Sequence, residues 1–267
     1  MKEKYQYSWT LLKELVKTEF KLRYKGSLLG MLWSALKPFL LFLIMYIVFV
    51  HFLRMGQGIP HYAVSLLLGT VLWSFFSEST NHGMGSIVYR GGVLRKINIP
   101  KYIIPLSTTC SALVNLAINL VIVFIFALIN GVYPHWSMLL IFPIIVELFI
   151  FSFGLSLLLS SLYVKFRDVS HIWEVFMQGA FYATPIFWPI SMILTQNLLA
   201  GKAIMLIPMA QIIQDARWVF VTNATETIYS VINNPLLWFI PFIFIALVVT
   251  VGILYFRKSS KYFTEIM

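Results

Sequence analysis

From Tyr102 to Val146 the chain runs without a single Asp, Glu, Lys or Arg side chain. That stretch limits the fold more than any other feature. About 20 apolar residues cross a bilayer core, so this run is too long for one crossing. Asn130, Gly131 and Pro134 supply a turn that divides it in two. In lipid the backbone must satisfy its own hydrogen bonds, so each half reads as a spanning helix.

The other uncharged runs extend the pattern to six spans, at about 34–53, 60–79, 105–129, 137–161, 172–189 and 236–256. Hydrophobic residues make up 60% of the 267 and charged residues only 11%, against about 25% in soluble domains. No polar segment is long enough to fold alone, which predicts an all-α integral membrane protein with a single transmembrane domain over residues 1–267. The lone cysteine, Cys110, lies in an apolar run, so no internal disulfide and no cysteine metal site are expected. The first long apolar run begins near residue 28, behind an amphipathic stretch and without a small-residue cleavage site, so the N-terminus does not read as a cleavable signal.

Charge placement orients the spans. Eight basic residues lie within 1–37, and Arg90, Arg95, Lys96, Lys101, Lys165, Arg167, Arg257, Lys258 and Lys261 fall on the same side; only Arg54, Lys202 and Arg217 fall opposite. The positive-inside rule then places both termini in the cytoplasm. The net charge of +10 sits beside apolar segments, which points to anionic membrane lipid and away from nucleic acid. On a helical wheel over 9–25, Trp9, Leu11, Leu12, Leu15, Val16, Phe20 and Leu22 form one arc and Lys13, Glu14, Lys17, Thr18, Lys21 and Lys25 the other, as in an interface helix on the inner leaflet. Glu19 and Arg23 intrude on the apolar arc, four residues apart. They read either as a local ion pair or as a docking point for another chain. Between the fifth and sixth spans, residues 190–222 are apolar but broken by Gly201, Lys202, Pro208, Asp215 and Arg217, which predicts external re-entrant or interfacial helices.

No GxxxxGK[ST], HExxH or GxSxG motif and no clustered His/Asp/Glu set is present, which argues against a self-sufficient enzyme. Three segments still carry more than a lipid anchor needs. Gly91 and Gly92 break the second cytoplasmic stretch before a short turn ending in Arg95 and Lys96, with Pro100 and Pro105 restarting the chain. The third, YVKFRDVSHIWE, crowds Lys165, Arg167, Asp168, His171 and Glu174 around a helix start, which predicts a capped geometry. The fifth span gathers Phe176, Phe181, Tyr182, Phe187 and Trp188, with Pro185 and Pro189 available to bend it; Trp33, Phe39, Tyr46 and Phe49 form a weaker stripe on the first. Such rings suit either a membrane interface or a path for sugar C–H faces. Glu147 is the one carboxylate in the middle of an expected span, and must be protonated or partnered there.

Four stretches, FKLRYKGSLLGMLWSALKP at 20–38, LRKINIPKYIIPLST at 94–108, FRDVSHIW at 166–173 and TPIFWPI at 184–190, resemble the membrane subunits of ABC-2-type polysaccharide exporters, which carry lipid-linked O-antigen, teichoic acid or capsule-like glycans. The resemblance implies a multi-pass permease of the bacterial inner membrane that forms a homodimer, with ATP and magnesium bound by two copies of a separate cytoplasmic ATPase. It implies no cofactor or metal in this chain. Glu19, Arg23, Gly92, Leu94, Arg95, Lys96, Arg167 and Asp168 would couple to the ATPase. Trp33, Phe39, Tyr46, Phe181, Tyr182, Phe187 and Trp188 would line the substrate path, and residues 190–222 would form external gate helices. The alternatives are an exporter of a drug or another lipid, and a membrane-embedded transferase acting on glycan lipids.

Overall fold

The computed structural model describes the backbone of residues 2–23, 26–27, 29–30, 32–96 and 99–263, and within these the side chains of all but residues 2–7, 20, 22, 23, 93, 95 and 96. All regular structure among the described residues is helical. α1 (Lys2–Arg23) follows its wheel in part: Leu11, Leu12, Leu15 and Val16 are half-buried and Lys13, Glu14, Lys17, Thr18 and Lys21 are exposed, but Trp9 of the expected apolar arc is also exposed. It packs on α5. The chain then turns through Gly26 and Gly30, whose φ of 79° and 51° fall in the left-handed region that glycine enters at no steric cost.

α2 (Leu32–Met45) continues as a π-helical stretch, Tyr46–Phe52. Pro38 has no N–H, which leaves the Ser34 carbonyl, four residues earlier, without its helical donor. Asn119 repairs this from another helix, its Nδ2 donating to the Ser34 oxygen at 3.0 Å.

α3 (Tyr62–Tyr89) is the buried centre of the bundle. It runs ten residues past the boundary expected at 79. Glu78, Asn81 and His82 lower the hydropathy there and suggest an end, yet they line a cavity, and Gly83 and Gly85 are buried within the helix, Gly83 giving room to Ser156 of α6. The short α4 (Gly91–Lys96) follows, then α5 (Ile103–Ile129). α5 closes through Val132 N–H to the Ala127 carbonyl and Gly131 N–H to that of Leu128, the Schellman pattern that glycine permits. A 3₁₀ turn, Trp136–Leu140, leads into α6 (Ile141–Lys165).

The fifth expected span takes a different form. α7 (Val169–Ala183) is 15 residues long, about 22 Å at 1.5 Å per residue and short of a full crossing. It stops because Thr184 precedes Pro185 and is driven to an extended backbone (ψ 138°). Residues 184–189 continue without helix. Next come α8 (Ile190–Gln196), α9 (Leu198–Met205), α10 (Pro208–Phe220) and α11 (Ile228–Val231), with α9 and α10 meeting at 89°. This is the predicted set of short helices between the fifth and sixth spans. A 3₁₀ turn, Pro235–Phe239, and α12 (Ile240–Ser259) follow.

Five helical stretches among the described residues are long and apolar enough to cross a bilayer: Leu32–Phe52, Tyr62–Tyr89, Ile103–Ile129, Trp136–Lys165 and Pro235–Ser259. α3, α5, α6 and α10 enclose one apolar core. A smaller core forms at the end that carries both termini, where Ile87, Leu94, Ile104, Val164, Phe256 and Phe263 pack together with Leu11 of α1 against them. α12 lies on α6 through small residues, and a Cβ on Gly252 would stand 2.4 Å from the Gly154 carbonyl oxygen.

Candidate functional site

A cavity of about 900 Å³ opens between α2, α3, α5 and α7. Two kinds of side chain make its wall. Trp33, Trp73, Phe181 and Tyr182 supply flat aromatic faces, with Tyr182 60% and Trp33 44% exposed. Ser34, Lys37, Glu78, Asn81, His82, Asn115 and Asn119 supply polar edges. A pocket of about 360 Å³ shares Trp73, Ser77, Asn81, Phe181 and Tyr182 and carries the space along α7 to Glu174 and Gln178.

The polar wall is held in register by its own hydrogen bonds. Asn115 donates to Glu78 Oε1 at 2.8 Å, and Asn119 donates both to the Asn115 carbonyl at 2.8 Å and to that of Ser34. These residues tie α2, α3 and α5 together and fix acceptors facing the cavity, where a free polar chain in an apolar bundle would be costly. Chemically the wall can accept and donate hydrogen bonds while offering rings for stacking. Among the described residues no three His, Cys, Asp or Glu side chains are grouped as metal ligands.

The expected path residues divide. Trp33, Phe181 and Tyr182 line the cavity. Phe39 and Tyr46 stand on α2 and its π-helical extension, outside the lining, against Phe42 at 6.0 and 5.8 Å. Phe187 is buried with its ring 4.5 Å from that of Phe49. Trp188 is half-buried, its indole N–H donating to the Tyr182 carbonyl at 3.0 Å. Glu78, Asn115 and Asn119 were not singled out from the sequence. The signal in the sequence is polar residues at positions 78, 115 and 119 of otherwise apolar runs, with Glu78 at the end of the span expected over 60–79.

The helix break after α7 leaves three carbonyls without helical donors, and the protein supplies each. Tyr62 donates its hydroxyl to Phe187 O at 2.6 Å. Arg217 of α10 donates through Nη1 to Pro185 O at 2.7 Å, through Nη2 to Ile186 O at 2.6 Å and through Nε to Ser65 O at 3.1 Å. Gln214 Oε1 takes a further bond at 2.9 Å. Gly69 makes room, since a Cβ there would stand 2.9 Å from Arg217 Nη2. The sequence places Arg217 among the external cations, in the segment expected to form re-entrant or interfacial helices. It is 3% exposed because α10 is packed into the core.

At the end bearing the termini, Glu19 of α1 meets Arg90 at 3.0 Å, and Arg90 also donates to Ser107 Oγ of α5 at 2.9 Å. One guanidinium thus joins α1, the end of α3 and α5. The side chains of Arg23, Arg95 and Lys96 lie outside the described residues. Leu94 is buried in the smaller core, and Gly92 is exposed. Arg167 and Asp168 are exposed, with the Arg167 guanidinium 5.0 Å from the Tyr163 ring centre. The expected carboxylate cap at α7 is absent: Asp168 occupies the cap position but its side chain makes no cap bond, and α7 begins instead on its backbone carbonyl.

Comparison with known proteins agrees with this architecture. The model of the ABC-2 type transporter family matches residues 10–221. The O-antigen export system permease protein RfbA of Myxococcus xanthus is 34% identical over 194 residues, covering 72% of this chain and 73% of that protein. A protein of the same name from Klebsiella pneumoniae is 31% identical over 72% of this chain and 74% of its own length. With the family's pattern extending from the interface helix to the end of α10, and with a helical bundle built to cross a membrane beneath it, the chain belongs to the ABC-2 transporter membrane family.

Proposed function

We propose that the chain is the membrane half of an ATP-driven exporter that moves a lipid-linked glycan from the cytoplasmic to the outer face of the bacterial inner membrane. Two copies form the channel, and two copies of a separate ATPase subunit bind ATP and magnesium and drive it. Both termini face the cytoplasm, as the basic residues beside them favour.

The observation that carries the substrate class is the mixed wall of the large cavity. Aromatic faces match sugar C–H surfaces, and the Glu78, Asn115 and Asn119 groups beside them match hydroxyls. The names of the relatives support the same class. The homodimer is supported by α2, whose spanning stretch has few fully buried residues within one copy although it borders the cavity. Exposed Gly92, Arg167 and Asp168, at the end where Glu19 and Arg90 join, form the face offered to the ATPase.

The test is export in cells lacking the native gene. Tyr182→Ala and Trp33→Ala, both at exposed cavity positions, should lower surface glycan about tenfold, equivalent to about 1.4 kcal/mol of barrier, while the chain still copurifies with its ATPase. Wild-type export by both variants would overturn the aromatic path. ATP hydrolysis by the isolated chain would overturn the division of labour, and transport of small amphiphiles with no effect on glycan would favour a drug exporter.

A further inference from the structure

α6 and α10 meet across a second polar group, at the end of the bundle opposite the termini. Gln211, 1% exposed, donates its amide N–H to Asp215 Oδ2 at 2.7 Å, and Asp215 is 9% exposed. Gln211 also faces Glu147 of α6, so that one amide stands between two carboxylates. Three buried oxygens in this group accept no hydrogen bond: Glu147 Oε1, Gln211 Oε1 and Asp215 Oδ1.

This arrangement is short of donors. Ionised carboxylates only accept, and two of them unpaired in an apolar interior are costly both by desolvation and by mutual repulsion. The surrounding charges do not supply the deficit. Arg217, two residues from Asp215, commits its bonds to Ser65, Pro185, Ile186 and Gln214. His135, from the turn before α6, places Nε2 3.0 Å from the Val219 carbonyl. Lys202 of α9 is half-buried outside the group, and Glu226 presents its carbonyl to Gln214. Tyr229 of α11 stays protonated, its phenol pushed up to about 12 by burial first and then by the charges of Asp215 and Glu147. The charged side chains of α12, Arg257 and Lys258, lie in its last turn. On α3, Tyr62 is bonded to Phe187 and Glu78 to Asn115.

We propose that Glu147, Gln211 and Asp215 form a proton-binding site that latches α10 to α6. One proton carried by either carboxyl supplies the missing O–H donor and removes one of two like charges. Its loss leaves an anion on each side of the Gln211 amide in an apolar seat and drives α10 off α6. The consequence reaches further because Arg217 ties α10 to the break after α7 and to α3, so the proton controls the helices that close this end of the bundle. The site stands independently of the substrate; only its role as an outward gate rests on the export reading.

The sign follows from linkage. The latched state holds one proton more than the open state, so latching is favoured at low pH and weakens as pH rises. Amide hydrogen exchange across residues 208–220 of the full chain in lipid nanodiscs, corrected for the intrinsic pH dependence, measures the opening. Opening should increase about tenfold per pH unit once the proton is being lost, the slope of a single proton. Infrared spectra of the same sample should show a protonated-carboxyl band that vanishes over the same pH range. Glu147→Gln should abolish both the slope and the band with α10 protected, because the amide mimics the protonated acid. A flat profile in the wild-type chain, an unchanged slope in Glu147→Gln, or protection that follows sodium instead of pH would each overturn the proposal. The infrared titration of the unmodified chain decides the matter even where a variant fails to fold. Failure here leaves the export reading intact, since that is measured on glycan.

Discussion

Arg217 shows how much one side chain can carry in a membrane bundle. Its planar guanidinium reaches three backbone carbonyls on two separate segments, at angles that one ammonium group cannot reproduce. Arg217→Met would strand the carbonyls of Pro185 and Ile186 in a dry interior, each at about 1–3 kcal/mol, and remove the second bond to the helical Ser65 carbonyl. The expected outcome is a loss of about 3 kcal/mol or more, read as a lowered unfolding midpoint of the purified chain, with Arg217→Lys recovering only part of it. Wild-type stability in Arg217→Met would show that water reaches these carbonyls. Glu147 is the counterpart on α6. Where Arg217 has acceptors for its donors, Glu147 has a buried oxygen, Oε1, that no donor reaches, which is why the one reads as structure and the other as a switch.

Among the helices, small residues decide how closely the elements approach. Lipid gives helices no hydrophobic reason to associate, so packing and hydrogen bonds must do it. α6 and α12 touch where Gly154 and Gly252 face each other, and Gly83 of α3 admits Ser156 of α6, whose hydroxyl donates to the Ser79 carbonyl at 3.0 Å. Gly252→Val would drive a branched side chain against backbone. Overpacking of this kind costs about 1–3 kcal/mol, and it should show as faster detachment of α12 in limited proteolysis, with the α3–α5 cavity residues still protected. Equal proteolysis of wild type and variant would mean that the two helices slide apart without cost. The interrupted α7 follows the same logic in reverse. A helix can stop inside the bundle here because Tyr62 and Arg217 satisfy the carbonyls released by the break.

Across the whole molecule, the end bearing the termini and the cavity are joined by α3 and α5. Arg90 at the end of α3 holds Glu19 of α1 and Ser107 of α5, and the same α5 carries Asn115 and Asn119 into the cavity wall. Movement of α1 by an ATPase would therefore reach the wall through rigid helices. Glu19→Arg should reduce the coupling of ATP hydrolysis to export, and adding Arg90→Glu should restore part of it by re-forming the pair in reverse. The pair is partly exposed, and such pairs contribute no more than about 1 kcal/mol, so the readout is coupling, not stability. No rescue in the double variant would assign Glu19 to direct contact with the partner instead.

Much of this was written in the linear sequence. Uncharged runs bounded by turn residues indicate the five long helices, since lipid leaves the backbone no other partner, but not the break after α7 or the length of α3. The wheel of α1 fixed which side faces the bundle, and Lys and Arg placement favours one orientation. The resemblance in four short stretches pointed to the family that the comparison then identified. What no linear reading could supply were partners distant along the chain: Glu19 with Arg90, Asn119 with the carbonyl freed by Pro38, Arg217 with the break after α7, and Gln211 between Glu147 and Asp215. Each is a polar group whose standing depends on what faces it. Hydropathy records that such a group is costly in an apolar run, but only the packed bundle determines whether the cost is met by a neighbour, by a cavity or by a proton.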